Sequence, residues 1–218
     1  MSKSFFSSLL ILIILSSSVI LAQGSKSIQL NGGIISPKSS TDGFSTAVQF
    51  NFNQNATISF YASVGYSSWN KFYVNFIEEW SPIQKETHFK THISDEHIMI
   101  PLYFGSKVNF HTNKYFTSFI NIELGYSYLK YNSYDYWRSI NPETGEVLGY
   151  YPDSSTKEEI KDNIIGLGVG LGISHPMSSN MNLILSVKLN SNIYSKYSDM
   201  FNSRETYMSF LAGFSFNI

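Results

Sequence analysis

The chain has 218 residues, of which 43% are hydrophobic and 16% aromatic but only 14% charged, with a formal net charge of −1 and no cysteine. Disulfides and thiolate metal centres are thereby excluded, and so near-neutral a balance lacks the basic footprint of a nucleic-acid binder. The length suits one domain, and so many aromatics beside so few charges call for something other than water against the surface.

Taken in chain order, Lys3 precedes an apolar run from Leu9 to Leu15, a serine break, and Val19 to Ala22. That run is too short to cross a bilayer as a helix. It reads as a secretory signal covering residues 1–22, cut after the small Ala22, although Ile20 stands where the cleavage pattern prefers a small residue. Residues 23–218 then form one β-barrel domain with 14 basic and 16 acidic residues.

Period-two alternation predicts eight strands in this domain. The first, 28–35, turns Ile28, Leu30 and Ile34 outward, and the second, 44–53, turns Val48, Phe50 and Phe52. After a turn at Asn53, Gln54 and Asn55, the third sets Ile58, Phe60, Ala62, Val64 and Tyr66 against Thr57, Ser59, Tyr61, Ser63 and Gly65. The fourth, 97–110, carries Ile98 to Phe110 on even positions, with Pro101 predicting a bulge or a missing hydrogen bond. The fifth turns Ile120, Ile122, Leu124, Tyr126 and Tyr128 outward. The sixth, 163–174, opposes Ile165, Leu167, Val169, Leu171 and Ile173 to Gly166, Gly168, Gly170 and Gly172. The seventh, 181–192, has Met181, Leu183, Leu185, Val187 and Leu189 outward, and the eighth ends the chain with Met208, Phe210, Ala212, Phe214, Phe216 and Ile218 on one face.

The connections fall into two classes. Tight turns at 53–55, 111–114 and 175–180 alternate with long polar and aromatic stretches at 36–43, 68–96, 130–162 and 191–205. Short periplasmic turns and long extracellular loops are the signature of an up-and-down transmembrane β-barrel, and an even strand count leaves both termini in the periplasm. The expected fold is therefore an all-β, eight-stranded antiparallel barrel. Its bore is just wide enough to be filled by side chains, here Gln49, Asn51, Tyr61, Tyr103, Lys107, Phe119, Asn121, Glu123 and Lys188, so no diffusion pore is expected. Aromatic girdles are expected at the short-turn rim (Phe50, Phe52, Phe110, Phe116, Phe214, Phe216) and at the long-loop rim (Tyr66, Trp69, Tyr126, Tyr128, Tyr194). The competing reading, a soluble β-sandwich core, leaves the signal, the loop asymmetry and the terminal strand unexplained.

Ile100-Pro101-Leu102-Tyr103-Phe104, Glu123-Leu124-Gly125-Tyr126, the glycine run 166–172 and the closing Gly213-Phe214-Ser215-Phe216 resemble small outer-membrane barrels of Bacteroidetes-type bacteria, loosely similar to OmpX, the OmpA barrel and the PorT-like group. The resemblance covers nearly all of residues 23–218 and implies fold and location rather than an active site. The chain departs from the usual closing signal by ending in Ile218 instead of Phe.

Three patterns invite a chemical reading. The alternating glycines have the wrong spacing for a nucleotide loop and no helix after them; they read as room for bulky lumen side chains. His88, His92 and His97, near Asp95 and Glu96, could ligate a metal but read as solvated loop residues. Ser174, His175 and Ser178, checked against barrel enzymes that modify lipid A, sit on a periplasmic turn facing the wrong leaflet, and His111 occupies a similar turn. No catalytic residue, metal or cofactor is expected.

The functional expectation is a non-enzymatic integral protein of the bacterial outer membrane, serving envelope integrity or surface interaction through its long loops. The loop contact candidates are Trp69, Trp80, Tyr134, Tyr136 and Trp137, within a set that includes Phe72, Tyr73, Phe76, Tyr150 and Tyr151. Expected partners are outer-membrane lipid and lipopolysaccharide, periplasmic chaperones and the barrel-assembly machinery, and an extracellular partner. The alternative is a small ligand channel or a lipid A-modifying enzyme, which needs a lateral opening or a catalytic cluster at the outer rim. Inside the barrel, Glu123 and Lys188 lie at matching distances from their turns and face inward across the glycine strand, predicting an ion pair with Lys107 nearer the periplasmic end.

Overall fold

A chain that alternates apolar and small residues this regularly must form strands, and the computed structural model contains ten among its described residues. It describes residues 25–38, 40–53, 57–69, 73–81, 86–196 and 206–218; side chains at 73–81, 86–96, 136–138, 147 and 150 are outside this description, as are the expected signal segment and Phe72. The strands are β1 (Ser27–Pro37), β2 (Gly43–Phe52), β3 (Ile58–Trp69), β4 (Tyr73–Ser81), β5 (Glu86–Thr112), β6 (Thr117–Ile140), β7 (Val147–Pro152), β8 (Glu158–Pro176), β9 (Met181–Tyr194) and β10 (Tyr207–Asn217).

Eight of them, all but β4 and β7, pair antiparallel in chain order around a closed wall, with β5 on β6 and β10 back on β1. Following paired residues once around, from Ser27 through Asn51, Tyr61, Gly105, Glu123, Gly168, Asn190 and Tyr207, returns to Pro37, a stagger of ten residues. With strands about 4.8 Å apart and about 3.3 Å per residue, this stagger tilts them about 40° from the barrel axis. The closed eight-stranded antiparallel barrel expected from the alternation is the fold observed.

The outward parity carries the apolar band. Ile28, Leu30, Val48, Val64, Leu102, Leu124, Val169, Leu171, Leu185 and Phe210 are all exposed, while the intervening polar or small residues are enclosed. Water would disfavour such a surface; hydrocarbon favours it. The aromatic rims follow, with Phe110, Phe116, Phe214 and Phe216 exposed towards the short turns and Tyr66, Tyr126 and Tyr194 towards the opposite end.

The turns of the first end are built locally. The Asn113 side chain accepts from the backbone N–H groups of Tyr115 (2.8 Å) and Phe116 (2.9 Å), and the N–H groups of Met177 and Ser178 both donate to the Met181 carbonyl. Asn53 takes a left-handed φ of 55°, which asparagine tolerates better than most residues.

Two expectations are corrected, and a third is resolved between its alternatives. The stretches 68–96 and 130–162 are largely strand rather than loop, since β5 starts at Glu86, β6 runs to Ile140, and β4 and β7 add hairpins to them. Beyond the bilayer neither face needs to be apolar, so the period-two signal fades there although the ladder continues from Lys130↔Lys161 to Ser133↔Glu158. Of the two outcomes expected at Pro101, the structure shows the interruption and not the bulge: the β3–β5 ladder omits two pairs there and resumes from Val64↔Leu102 to Ser67↔Met99 in the same register. Trp69 is not at a lipid rim, because it lies at the inner side of β3 and is buried.

Val169 is half exposed near the middle of the outward row of β8. Val169→Arg should therefore destabilise the barrel by about 2–4 kcal/mol in phospholipid vesicles. Urea unfolding in lipid checks this, and an effect near zero would place the outward face in water.

Candidate functional site

Inward side chains fill the bore in three levels. Nearest the short turns, Ser215 Oγ donates to Ser27 Oγ (3.0 Å), Asn51 Nδ2 to the same oxygen (3.0 Å), and Gln49 Nε2 to Asn51 Oδ1 (2.6 Å). This polar seam crosses the β10–β1–β2 closure and satisfies groups that water cannot reach.

The middle level is the charge centre. Glu123 on β6 is 3% exposed, and its carboxylate accepts from Lys188 Nζ (2.7 Å) and Tyr61 OH (2.7 Å) through Oε2 and from Asn190 Nδ2 (2.8 Å) through Oε1. Asn121 Nδ2 donates to Tyr61 OH at 3.0 Å, and Lys188 Nζ stands 5.3 Å from the Tyr61 ring centroid. Three donors from two strands of the wall thus surround one buried anion, the arrangement that makes such a charge tolerable. The glycines of β8 create the space. A Cβ at Gly168 would meet Asn190 Nδ2 at 2.3 Å and Glu123 Cγ at 2.7 Å, and one at Gly172 would meet Phe119 Cζ at 2.3 Å.

The third level, towards the long hairpins, is an apolar lid of Ile35, Trp69, Met99, Leu129, Tyr131, Ile164 and Tyr207. His97 is sandwiched in it, stacked on Trp69 (5.1 Å, 13°) and on Tyr131 (4.9 Å, 18°). Between lid and charge centre, Tyr103 OH bridges Tyr207 OH (3.2 Å) and Ser127 Oγ (3.2 Å). In the bore at the level of Tyr61 and Lys188, the remaining void is about 10 Å3, room for at most about one water.

Of the residues singled out from sequence, Glu123 and Lys188 meet directly. Lys107 stands apart from them, its Nζ 4.6 Å from the Phe119 ring centroid. Trp69 and Tyr134, expected on an exposed loop, are buried, and Tyr134 lies beneath Lys157 Nζ at 5.8 Å. The side chains of Trp80, Tyr136 and Trp137 lie outside the description. His97, expected in a solvated loop, is inside the wall. Sequence reasoning had Tyr61 and Asn121 on the inward face but missed their bonds, along with Asn190; the signal available was the inward parity that Asn121 shares with Glu123 on β6 and Asn190 with Lys188 on β9.

The turn residues considered for catalysis have structural partners. His175 Nδ1 donates to the Tyr115 carbonyl (2.6 Å), His111 Nε2 lies 3.3 Å from Asn113 Nδ2, and Ser178 Oγ accepts from Asn180 N–H (3.4 Å). The first of these ties two adjacent turns together at one rim, and the other two are local to their own turns.

Above the opposite rim, Glu159 bridges Lys130 and Lys161, the latter at 2.6 Å. The hydrogen bonds from Lys130 and then Lys161 hold its carboxyl down to about 2. A depressed carboxylate contributes stability that is present above its ordinary range and lost as pH falls towards that value.

No family model matches this chain, and no curated protein matches it by sequence. Solved structures do match its fold. Neisserial surface protein A is similar at a TM-score of 0.57 and 14% identity, over 90% of this chain and 100% of that one. A major outer membrane protein from Thermus thermophilus is similar at 0.53 and 10%, over 88% and 99%. The attachment invasion locus protein Ail of Yersinia pestis is similar at 0.49 and 11%, over 89% and 97%. The class that the geometry defines is the small, closed, eight-stranded barrel of outer-membrane type.

Two outcomes are expected. Glu123→Gln and Lys188→Met should each destabilise the barrel by about 3–5 kcal/mol, and together by clearly less than the sum; additive losses in a detergent unfolding cycle would show that the charges do not interact. On acidification towards about pH 2, amides of the β6–β8 extension should lose hydrogen-exchange protection before the lumen does. Molar salt should shrink that difference.

Proposed function

We propose that this chain is a non-enzymatic integral barrel of the bacterial outer membrane, acting in envelope integrity or surface interaction through its extracellular hairpins. The observation that carries this reading is a wall apolar outside and filled inside, with a mid-bore void of about 10 Å3. Such a bore holds no solute-sized passage at that level, and the Glu123 carboxylate at its centre is engaged by neighbouring side chains. A channel is thereby disfavoured. The alternative of a lipid A-modifying enzyme needs a lateral opening or a catalytic cluster at the outer rim; every neighbouring pair of barrel strands is laddered, and His175 and Ser178, the turn residues considered for catalysis, lie at the opposite, short-turn end.

The β6–β7 hairpin supports a contact role. Asn141 N–H donates to the Glu146 carbonyl (2.8 Å) and Gly145 N–H to the Asn141 carbonyl (2.9 Å), with Gly145 at a left-handed φ of 71°. That ordered turn presents Ile140, Leu148 and Tyr151, all exposed. These three replace the buried Trp69 and Tyr134 as contact candidates. Within the reading, the wall faces outer-membrane lipid and lipopolysaccharide, and periplasmic chaperones and the assembly machinery deliver the chain after signal cleavage. Its grouping within the reading is with the Bacteroidetes-type barrels that the strand motifs resemble.

An epitope inserted at Glu143–Gly145 should be labelled on intact cells and one at Ser178–Ser179 only after permeabilisation. The reverse pattern would invert the topology. Deletion should leave lipid A masses unchanged; a mass shift restored by the wild-type chain would favour the enzyme.

A further inference from the structure

Towards the short-turn end the bore opens into a cup of about 210 Å3, whose sides are Asn109, Thr112, Thr117, Ser174 and Asn182. Lys107 and Phe119 line both this cup and the small void above it, so together they form the partition between them. Lys107 is only 6% exposed. Its ammonium rests over the Phe119 ring, while the carboxylate nearest in the lumen network, Glu123, is committed to Lys188 at 2.7 Å. No acidic side chain lines the cup, and among the described residues Lys107 makes no ion pair.

A desolvated ammonium calls for a counter-charge, and an aromatic face supplies only part of one. We propose that the cup is an anion site in which Lys107 binds a compact oxyanion, a phosphate or carboxylate group, entering from the short-turn mouth. The hydroxyls of Thr112, Thr117 and Ser174 and the Asn182 amide are the donors for its remaining oxygens. Lysine acts on phosphate as a point charge, which suits a ring of neutral donors around it. A single water needs about 10–15 Å3 of such space, so the cup takes a tetrahedral oxyanion together with waters. This inference is independent of the surface role proposed above, since it concerns the opposite end of the barrel.

The test uses the full barrel refolded in maltoside micelles in phosphate-free buffer, titrated with inorganic phosphate against chloride at equal ionic strength. Unfolding midpoint and 31P line width are read together. Phosphate should raise the midpoint saturably and broaden its own resonance, and Lys107→Gln should weaken binding about tenfold or more, as expected for loss of a charged hydrogen bond. Asn182→Asp, which places a carboxylate on the wall of the cup that Lys107 also lines, should raise the midpoint by itself and remove the phosphate response. This variant decides the matter even where Lys107→Gln does not fold. Acetate in place of phosphate reports whether a carboxylate suffices. Nanodiscs of phosphatidylglycerol without free phosphate report whether a lipid headgroup supplies the oxyanion, in which case added phosphate no longer shifts the midpoint there although it does in micelles. Equal effects of chloride and phosphate in micelles, or a phosphate response unchanged in both variants, would overturn the assignment.

Discussion

Every part of this molecule depends on the pairing of β10 with β1, the contact between the two ends of the barrel domain from Ser27↔Asn217 to Pro37↔Tyr207. In hydrocarbon an unpaired backbone group costs several kcal/mol, so a sheet with a free edge has no stable place there. Closing the ladder removes both edges at once. The stagger of ten residues then sets the tilt, and eight tilted strands leave a bore no wider than opposing side chains.

That narrow bore dictates the inner composition. Large side chains can enter only where the opposite wall yields, and β8 yields by placing glycine at four successive inward positions, against Tyr103, Glu123, Asn121 and Phe119. Such a wall is one element of a shape, not a nucleotide loop. Polar groups inside must be paired with one another because lipid surrounds the outside, hence the seam at Ser27, Asn51 and Ser215 and the cluster around Glu123. The buried ion pair is by itself weak evidence of net stability, since isosteric apolar pairs often do as well.

Along the barrel axis the lumen changes character. A polar cup with a cation lies at one end, a satisfied charge centre in the middle, and an aromatic lid enclosing His97 at the other. Above the lid, β5, β6 and β8 continue as sheet into water, where Lys130, Glu159 and Lys161 replace lipid-facing side chains on the ladder. Rigid sheet rather than loose loop therefore carries the exposed Leu148 and Tyr151, which lowers the entropy cost of any contact made there.

The wall strands, their facing and the alternation of short turns with long excursions were legible in the sequence because lipid on one side and a filled bore on the other impose a strict period of two. The Glu123–Lys188 pair was legible for the same reason, parity and height being countable from the turns. What alternation could not disclose was decided by three-dimensional closure. Tyr61, Asn190 and Asn121 converge on the charge centre from strands far apart in the chain, and Lys107 turns away to Phe119 instead of joining it. The hairpin extensions were hidden because sheet in water needs no apolar face. Trp69 and His97 went unrecognised as interior because the lid they form exists only when β3, β5 and β6 meet around the axis, and a pattern read along one strand carries no information about what stands opposite it.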